Sequence, residues 1–302
     1  MVTGAPKRLS RIVSLASAMT LGLAAIMPTS TMAAAYASPQ PPASHWITST
    51  NYRYPGNDGK HHAVSWDKYS YMIDDHHLNI WSGEVHYWRL PSPHQWRDVL
   101  QKMKAAGFNA VSFYFFWGYH QSAPDSPFDF SGIRNIDLLL RMAAEEGLYV
   151  IARPGPYINA EISMGGMPAW QTNSSLPLRN AWDNTNWQQQ RAWLHAVNKI
   201  IARHQVTNGG GSVLLYQVEN EELASVGPYA DYVKKIIKAA KEDGINVPIF
   251  HNDYAPVGNW AFTTKDTGLD VYSYDDYPIR FDCSATRHKL QDHNWHIDPA
   301  FR

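Results

Sequence analysis

From residue 69 to residue 274, short apolar runs alternate with longer stretches of helical period. That alternation limits the chain to few architectures. Ala110 to Trp117, Leu148 to Ala152, Val213 to Val218, Val247 to Phe250 and Val271 to Tyr274 are nearly continuous apolar or aromatic runs. Runs this short, with little polar alternation, are expected of strands covered on both faces. Tyr69 to Ile73 and His77 to Ser82 read as two further short strands, with Asp74-Asp75 as the turn between them. Ser92 and Pro93 open the first helix as N-cap and first-turn residue. Trp96, Val99, Leu100 and Met103 give that helix one apolar face, and Gly107 stops it. Ile136 to Glu146 is a second helix, ended by Gly147. Trp187, Arg191, Leu194, Val197, Ile200 and Ile201 mark a third. Pro228 starts a fourth, with Tyr232, Val233, Ile236, Ile237 and Ala240 inward and Gly244 at its end. The order β-α-β-α-β-α-β-α-β-β predicts a parallel α/β architecture.

The polar and aromatic residues cluster just after the strands: Glu84 and His86, Trp117 and His120, Arg153 to Glu161, Asn220 and Glu221, and Tyr277. Functional groups at successive C-terminal strand ends are the pattern of a (β/α)8 TIM barrel. No G-x-G-x-x-G follows the first strand and no G-x-x-x-x-G-K-[ST] occurs, which sets nucleotide-binding folds aside. Only about six strands are legible where a barrel needs eight. The expected fold is therefore an incomplete (β/α)8 barrel over residues 69–302, truncated at its C-terminal side.

Residues 1–37 read as a secretory signal peptide. Lys7, Arg8 and Arg11 precede an apolar stretch from Ile12 to Met27, and Ala35-Tyr36-Ala37 or Thr31-Met32-Ala33 offers a cleavage site. A retained membrane anchor is the competing reading. Residues 38–68 are a lead-in whose segment Ser38 to Ser44 holds three prolines and reads as a linker. The expectation is a secreted protein, extracellular or periplasmic, with no membrane association once the leader is removed. Cys283 is the only cysteine, an odd thiol for an exported chain. With 26 Lys plus Arg against 27 Asp plus Glu, the formal net charge of −1 argues against a nucleic-acid partner.

The sharpest chemical segment is Tyr216-Gln217-Val218-Glu219-Asn220-Glu221-Glu222. A buried strand ends in three carboxylates around an asparagine. A carboxyl crowded by other acids at a barrel mouth has a raised pKa, as a general acid near neutral pH requires. The bland alternative is an acidic lead into the next helix. In Arg153 to Glu161, Pro154-Gly155-Pro156 fixes a sharp path that presents Asn159 and Glu161 to the same mouth. A structural turn with a solvated glutamate is the alternative there. Tyr114 and Trp117 suit either a site or the core. The chain's 12 Trp and 17 Tyr are equally open: rings that stack on a sugar, or a Trp-rich core. Fourteen histidines invite a metal, but no H-E-x-x-H occurs and the adjacent pairs His61-His62 and His76-His77 point apart. No metal and no other cofactor is expected. No G-x-S-x-G marks a serine nucleophile.

Together these segments resemble glycoside hydrolase family 35, the β-galactosidases. The matching stretches are Ser82 to Pro91, Phe113 to Trp117, Arg153 to Glu161 with Gly165 to Trp170, Gln217 to Glu221, and Asp276 to Cys283, in family order. The resemblance implies a retaining hydrolase that releases terminal non-reducing β-D-galactose from oligo- or polysaccharides by double displacement. It implies that Glu221 is the acid/base, that Asn220 holds the sugar 2-hydroxyl, and that Tyr114, Asn159, Ala160, Glu161 and Tyr277 bind galactose. Glu219 and Glu222 flank the site. Many members carry Trp-Asn-x-His-Glu after strand two, whereas this chain has Trp117-Gly118-Tyr119-His120-Gln121, which puts the tuning of the site in doubt. The family's nucleophile lies on strand seven, beyond Arg302, and so does the usual partner of Cys283. The chain is then an inactive fragment of a longer enzyme. Another exo-β-glycosidase, such as one acting on β-glucosaminides, and a non-catalytic sugar-binding protein are the alternatives.

Overall fold

The computed structural model describes residues 58–67, 69–173, 178–223, 226–255, 258–261 and 264–275. The expected leader over 1–37, most of the lead-in over 38–68, Tyr277 and the Asp276 to Cys283 motif lie outside the described residues.

The described chain opens with a three-stranded antiparallel sheet: β1 (Val64–Trp66), β2 (Tyr71–Ile73) and β3 (His76–Leu78). Asp74 and Asp75 form the two-residue turn, both left-handed at φ 50° and 62°, a conformation that short polar side chains tolerate. Six parallel strands follow: β4 (Ser82–Val85), β5 (Ala110–Tyr114), β6 (Tyr149–Gly155), β7 (Val213–Val218), β8 (Ile249–Asp253) and β9 (Val271–Tyr274). They pair in chain order, each with the strand before it. Helices α1 (Pro93–Ala105), α2 (Trp117–His120), α3 (Ile136–Glu145), α4 (Asn184–Arg203), α5 (Gly227–Glu242) and α6 (Thr264–Thr267) lie between the strands. This is the winding of a (β/α)8 barrel through six of its strands.

The caps explain where the helices begin. Ser92 caps α1 with Pro93 inside its first turn, and the Asn135 side chain accepts from the Leu138 amide at 2.9 Å to start α3. Every residue of β5, β7 and β8 is buried. That is why β5 and β7 read as largely apolar runs rather than alternating ones.

Three sequence expectations need correction. The run His77 to Ser82 is not one strand: the hairpin closes at Leu78 and the first barrel strand is β4. Asn109 makes the break. It accepts from the Trp81 amide at 2.7 Å and donates to the Asn79 carbonyl at 2.6 Å, starting β4 beside β5. The aromatic run Ala110 to Trp117 leaves the sheet after Tyr114, because Trp117 turns into α2 to stack on Trp193 at 6.3 Å. The fifth barrel strand runs three residues past Phe250, since His251, Asn252 and Asp253 are buried with polar partners. Trp96, Trp117, Trp193 and Trp260 are fully buried, while Trp66, Trp81 and Trp182 are exposed, so among the described residues tryptophan serves both core and surface.

Candidate active site

A cleft of about 340 Å³ opens at the C-terminal ends of the parallel strands. Its wall takes Glu84 from β4, Tyr114 from β5, Arg153 from β6, and Tyr274 and Asp275 from the end of β9. Asn159, Ala160 and Glu161 enter from the loop after β6, and Asn220 and Glu221 from the turn after β7. Of the expected residues, the structure thus brings Tyr114, Asn159, Ala160, Glu161, Asn220 and Glu221 to one cleft. His86, Trp117 and His120 do not line it. The His120 Nδ1 faces the Asp129 carbonyl at 2.7 Å and the Tyr87 hydroxyl faces its Nε2. Burial holds the His120 pKa down to about 4, so this ring is a neutral core group. Gln121 accepts from the Trp117 indole at 2.7 Å and donates to the Ser126 carbonyl at 2.9 Å. The departure at this position therefore shapes a loop away from the cleft.

Arg153 organises one wall. Its guanidinium donates to Glu84 Oε1 and to Asn220 Oδ1, each at 2.6 Å, and lies 3.9 Å from the centre of the Tyr114 ring. The Tyr114 hydroxyl donates to the same Glu84 oxygen at 2.7 Å. A tyrosine ring in the core and a phenol at the cleft are thus one arrangement, which unites the two readings of Tyr114. Burial also pushes the Tyr114 hydroxyl well above its ordinary pKa, so it stays a donor.

The Glu219 to Glu222 run divides by direction. Glu219 is fully buried and takes a two-pronged grip from Arg179, at 2.7 Å from Nε and 2.6 Å from the terminal nitrogen. The backbone N–H of Asn220 is a third donor, at 2.5 Å. Burial pushes this carboxyl up toward about 7 and Arg179 opposes it, while Arg179 is itself held protonated by the same partner. Three donors on two oxygens are the hydrogen bonding of an ionised carboxylate, so the pair is a salt bridge. Glu221 faces the cleft instead. Burial, and then a hydrogen bond and charge repulsion from Asp275, push its pKa up to about 7. An exchangeable proton near neutrality thus stands at the cleft wall beside the Asn220 amide.

The backbone here is unusual. Asn159, Ala160 and Glu161 lie in succession at φ 54°, 53° and 48°, and Glu219 and Glu221 at 57° and 50°. Left-handed conformations outside glycine each cost on the order of 1–3 kcal/mol and collect at functional sites. Arg89 supports the first group by donating to the Ala160 carbonyl at 3.1 Å. Gly165 supports it as well: a Cβ there would stand 2.0 Å from the Tyr157 ring, over which the Arg179 guanidinium lies at 4.1 Å.

Sequence reasoning missed three parts of the arrangement. Arg153 was visible in its motif but not as a cleft residue. Asp275 directly follows a strand, so the strand-end rule that singled out Glu221 also marks it. Arg179 sits in an irregular segment and carries no sequence signal. Tyr277 lies outside the described residues.

A model of the glycosyl hydrolases family 35 matches residues 70–301. "Probable beta-galactosidase C" of Aspergillus clavatus is 43% identical over 235 residues, covering 75% of this chain and 24% of the relative. The protein of the same name from Aspergillus fumigatus is 42% identical over 236 residues, covering 76% of this chain and 24% of the relative. The chain spans about a quarter of the length of these curated relatives. Among solved structures, an exo-beta-1,4-mannosidase from Opitutaceae bacterium strain TAV5 superposes with a TM-score of 0.51 at 16% identity, over 66% of this chain and 38% of that one. That likeness concerns the fold alone.

Proposed function

Because the chain belongs to glycosyl hydrolase family 35, we propose that its cleft binds a terminal non-reducing β-D-galactose residue and that Glu221 is the acid/base of a retaining hydrolysis. The observation that carries this reading is the placement of Glu221: its carboxyl stands on the cleft wall beside Asn220 and Asp275, where burial and Asp275 raise its pKa. A general acid has to hold its proton at the working pH and to face the leaving oxygen. Glu219 meets neither condition, locked in its salt bridge with Arg179. Asn220, fixed by Arg153 at 2.6 Å, is the group for the sugar 2-hydroxyl. Tyr114, Asn159, Ala160 and Glu161 take the remaining hydroxyls, and Tyr277 joins them in the proposal.

Double displacement needs a second carboxylate about 5–5.5 Å from the first, on the opposite side of the glycosidic bond. In this proposal it is a strand-seven glutamate of a longer polypeptide, of the length the curated relatives have. The reaction begins as that carboxylate attacks the anomeric carbon while the Glu221 proton passes to the departing oxygen. Water then cleaves the glycosyl-enzyme, and its proton returns to Glu221. The substrate is a β-galactoside oligo- or polysaccharide. Residues 1–37 are proposed as the leader of a secreted enzyme. No helix among the described residues is long and apolar enough to cross a membrane.

The test follows the anomer first released from an aryl β-galactoside, by proton NMR, in the enzyme carrying the whole barrel. The β anomer is expected before mutarotation. Initial release of the α anomer refutes retention, and preference for β-glucosaminides over β-galactosides refutes the substrate.

A second prediction concerns Glu161. A site that hydrogen-bonds a hydroxyl is left with unpaired polar groups when the partner is removed. Glu161→Ala should therefore lower kcat/KM for galactosides by on the order of 10²-fold. A change below threefold makes Glu161 a turn residue, retained for its place in the left-handed segment.

A further inference from the structure

Two carboxyls meet in the cleft, and one chain of hydrogen bonds decides which of them carries the proton. The Gln217 side-chain amide donates to the Glu219 carbonyl at 3.0 Å and to Asn252 Oδ1 at 2.6 Å. A carbonyl can only accept, so the Gln217 NH2 group is oriented from the main chain. Asn252 Oδ1 receives that bond, and a long one from the Glu221 amide at 3.4 Å. Its own NH2 group is thereby turned outward and donates to Asp275 Oδ2 at 2.8 Å. The Asp275 main chain is pinned too, its N–H donating to the Asp253 carbonyl at 2.7 Å. Asp275 and Glu221 line the same cleft, and the Asp275 carboxyl raises the pKa of Glu221. An aspartate that already receives an amide donor is the acceptor of such a pair, which leaves the proton on the glutamate.

We propose that Asp275 is a positioning residue for the reaction: held by Asn252, it accepts the Glu221 proton in a hydrogen bond and keeps that carboxyl protonated and aimed until the leaving group takes the proton. This rests on the reading of Glu221 as the acid. Other charged groups also face Glu221. Arg153 of β6 and Arg179 favour its ionised form, as positive neighbours do, and Glu84 and Glu161 share the cleft wall. His251 of β8 is neutral, its pKa lowered to about 4 by burial. Asp275 is the carboxylate on the cleft wall that opposes the two arginines at Glu221. Once the proton has left, the two carboxylates repel each other, which favours reprotonation of Glu221 from the attacking water.

The experiment compares pH profiles of kcat/KM in the enzyme carrying the whole barrel. Asp275→Asn removes the charge and keeps the shape. Its basic limb should move to lower pH by about one unit, roughly a tenfold loss at the alkaline end. The acidic limb should stay in place. Asp275→Glu should restore the limb in part, which a merely structural role does not require. Asp275→Ser serves if the asparagine variant fails to fold. A hydroxyl still accepts from Asn252 without charge, and the same displacement is expected. An unmoved basic limb in folded Asp275→Asn or Asp275→Ser overturns the proposal. Glu221→Gln separates the two readings. If that variant keeps its rate on disaccharides, the acid assignment fails. If it is inactive while the Asp275 variants keep their limb, only the role of Asp275 fails.

Discussion

Replacing Glu221 by alanine lowers the turnover of a lactose-type disaccharide by about 10²–10⁴-fold, the usual contribution of a positioned acid, while glycosylation by a nitrophenyl galactoside suffers far less. The asymmetry follows from the leaving groups. A sugar alkoxide does not depart without a proton, whereas a nitrophenolate does. The pH profile carries the same signature with a definite sign. In the enzyme carrying the whole barrel kcat/KM should fall as pH rises through about 7, where Glu221 is expected to lose its proton, and the variant should lack this basic limb. Stability has a matching dependence. A carboxyl raised from 4.5 to about 7 binds its proton more tightly folded than unfolded. Its contribution is therefore complete below about 4.5 and is lost as pH climbs toward 7. Glu221→Gln should flatten that decline. Added azide should partly restore turnover of the activated substrate, since a small anion can replace water where no base remains. Should Glu219→Ala give this leaving-group pattern and Glu221→Ala not, the acid is Glu219.

The second large effect is on stability. Glu219→Ala takes from the Arg179 guanidinium, which is 28% exposed, its two-pronged and fully buried partner, leaving it the Glu222 carboxylate at 3.5 Å and the Asn220 carbonyl at 2.7 Å. Breaking one side of a buried pair costs about 3–5 kcal/mol, because the remaining charge keeps its desolvation without its partner. Chemical denaturation should show that loss with an unchanged slope. The double variant Glu219→Leu with Arg179→Met should be more stable than Arg179→Met alone, since the fully buried Glu219 carboxylate is then not left facing a removed partner. A loss below about 1 kcal/mol for Glu219→Ala would mean that water reaches Arg179 and the pair is effectively a surface one.

How far the sequence led can be judged from single residues. Glu221 was legible because β7 is covered on both faces, so all its residues but Gln217 are apolar or aromatic and the carboxylates that follow mark its end. The αβ alternation was legible for the same reason. The strand of Glu84 was not: Ser82–Val85 is too short for a period, and its start depends on Asn109, nearly thirty residues away. The inward direction of Asn252 and Asp253 was hidden because polar residues in a buried strand contradict local pattern and are satisfied only by distant partners. Arg179 shows the same limit. Its partner is 40 positions on, and nothing near it in sequence foretells the pairing.

The order of the parallel sheet is also a schedule. Each strand from β5 to β9 pairs with the one made just before it, so no segment waits for a distant partner before it can dock. Each closure joins neighbouring strands, and its entropic cost grows only slowly with the length of the connection. A ribosome delivering the chain from its N-terminus would thus always present a finished edge to the strand now emerging, and the sheet can grow at the pace of synthesis. Glu221, just after β7, would reach its place before β9 and the Asp275 that follows it have been made.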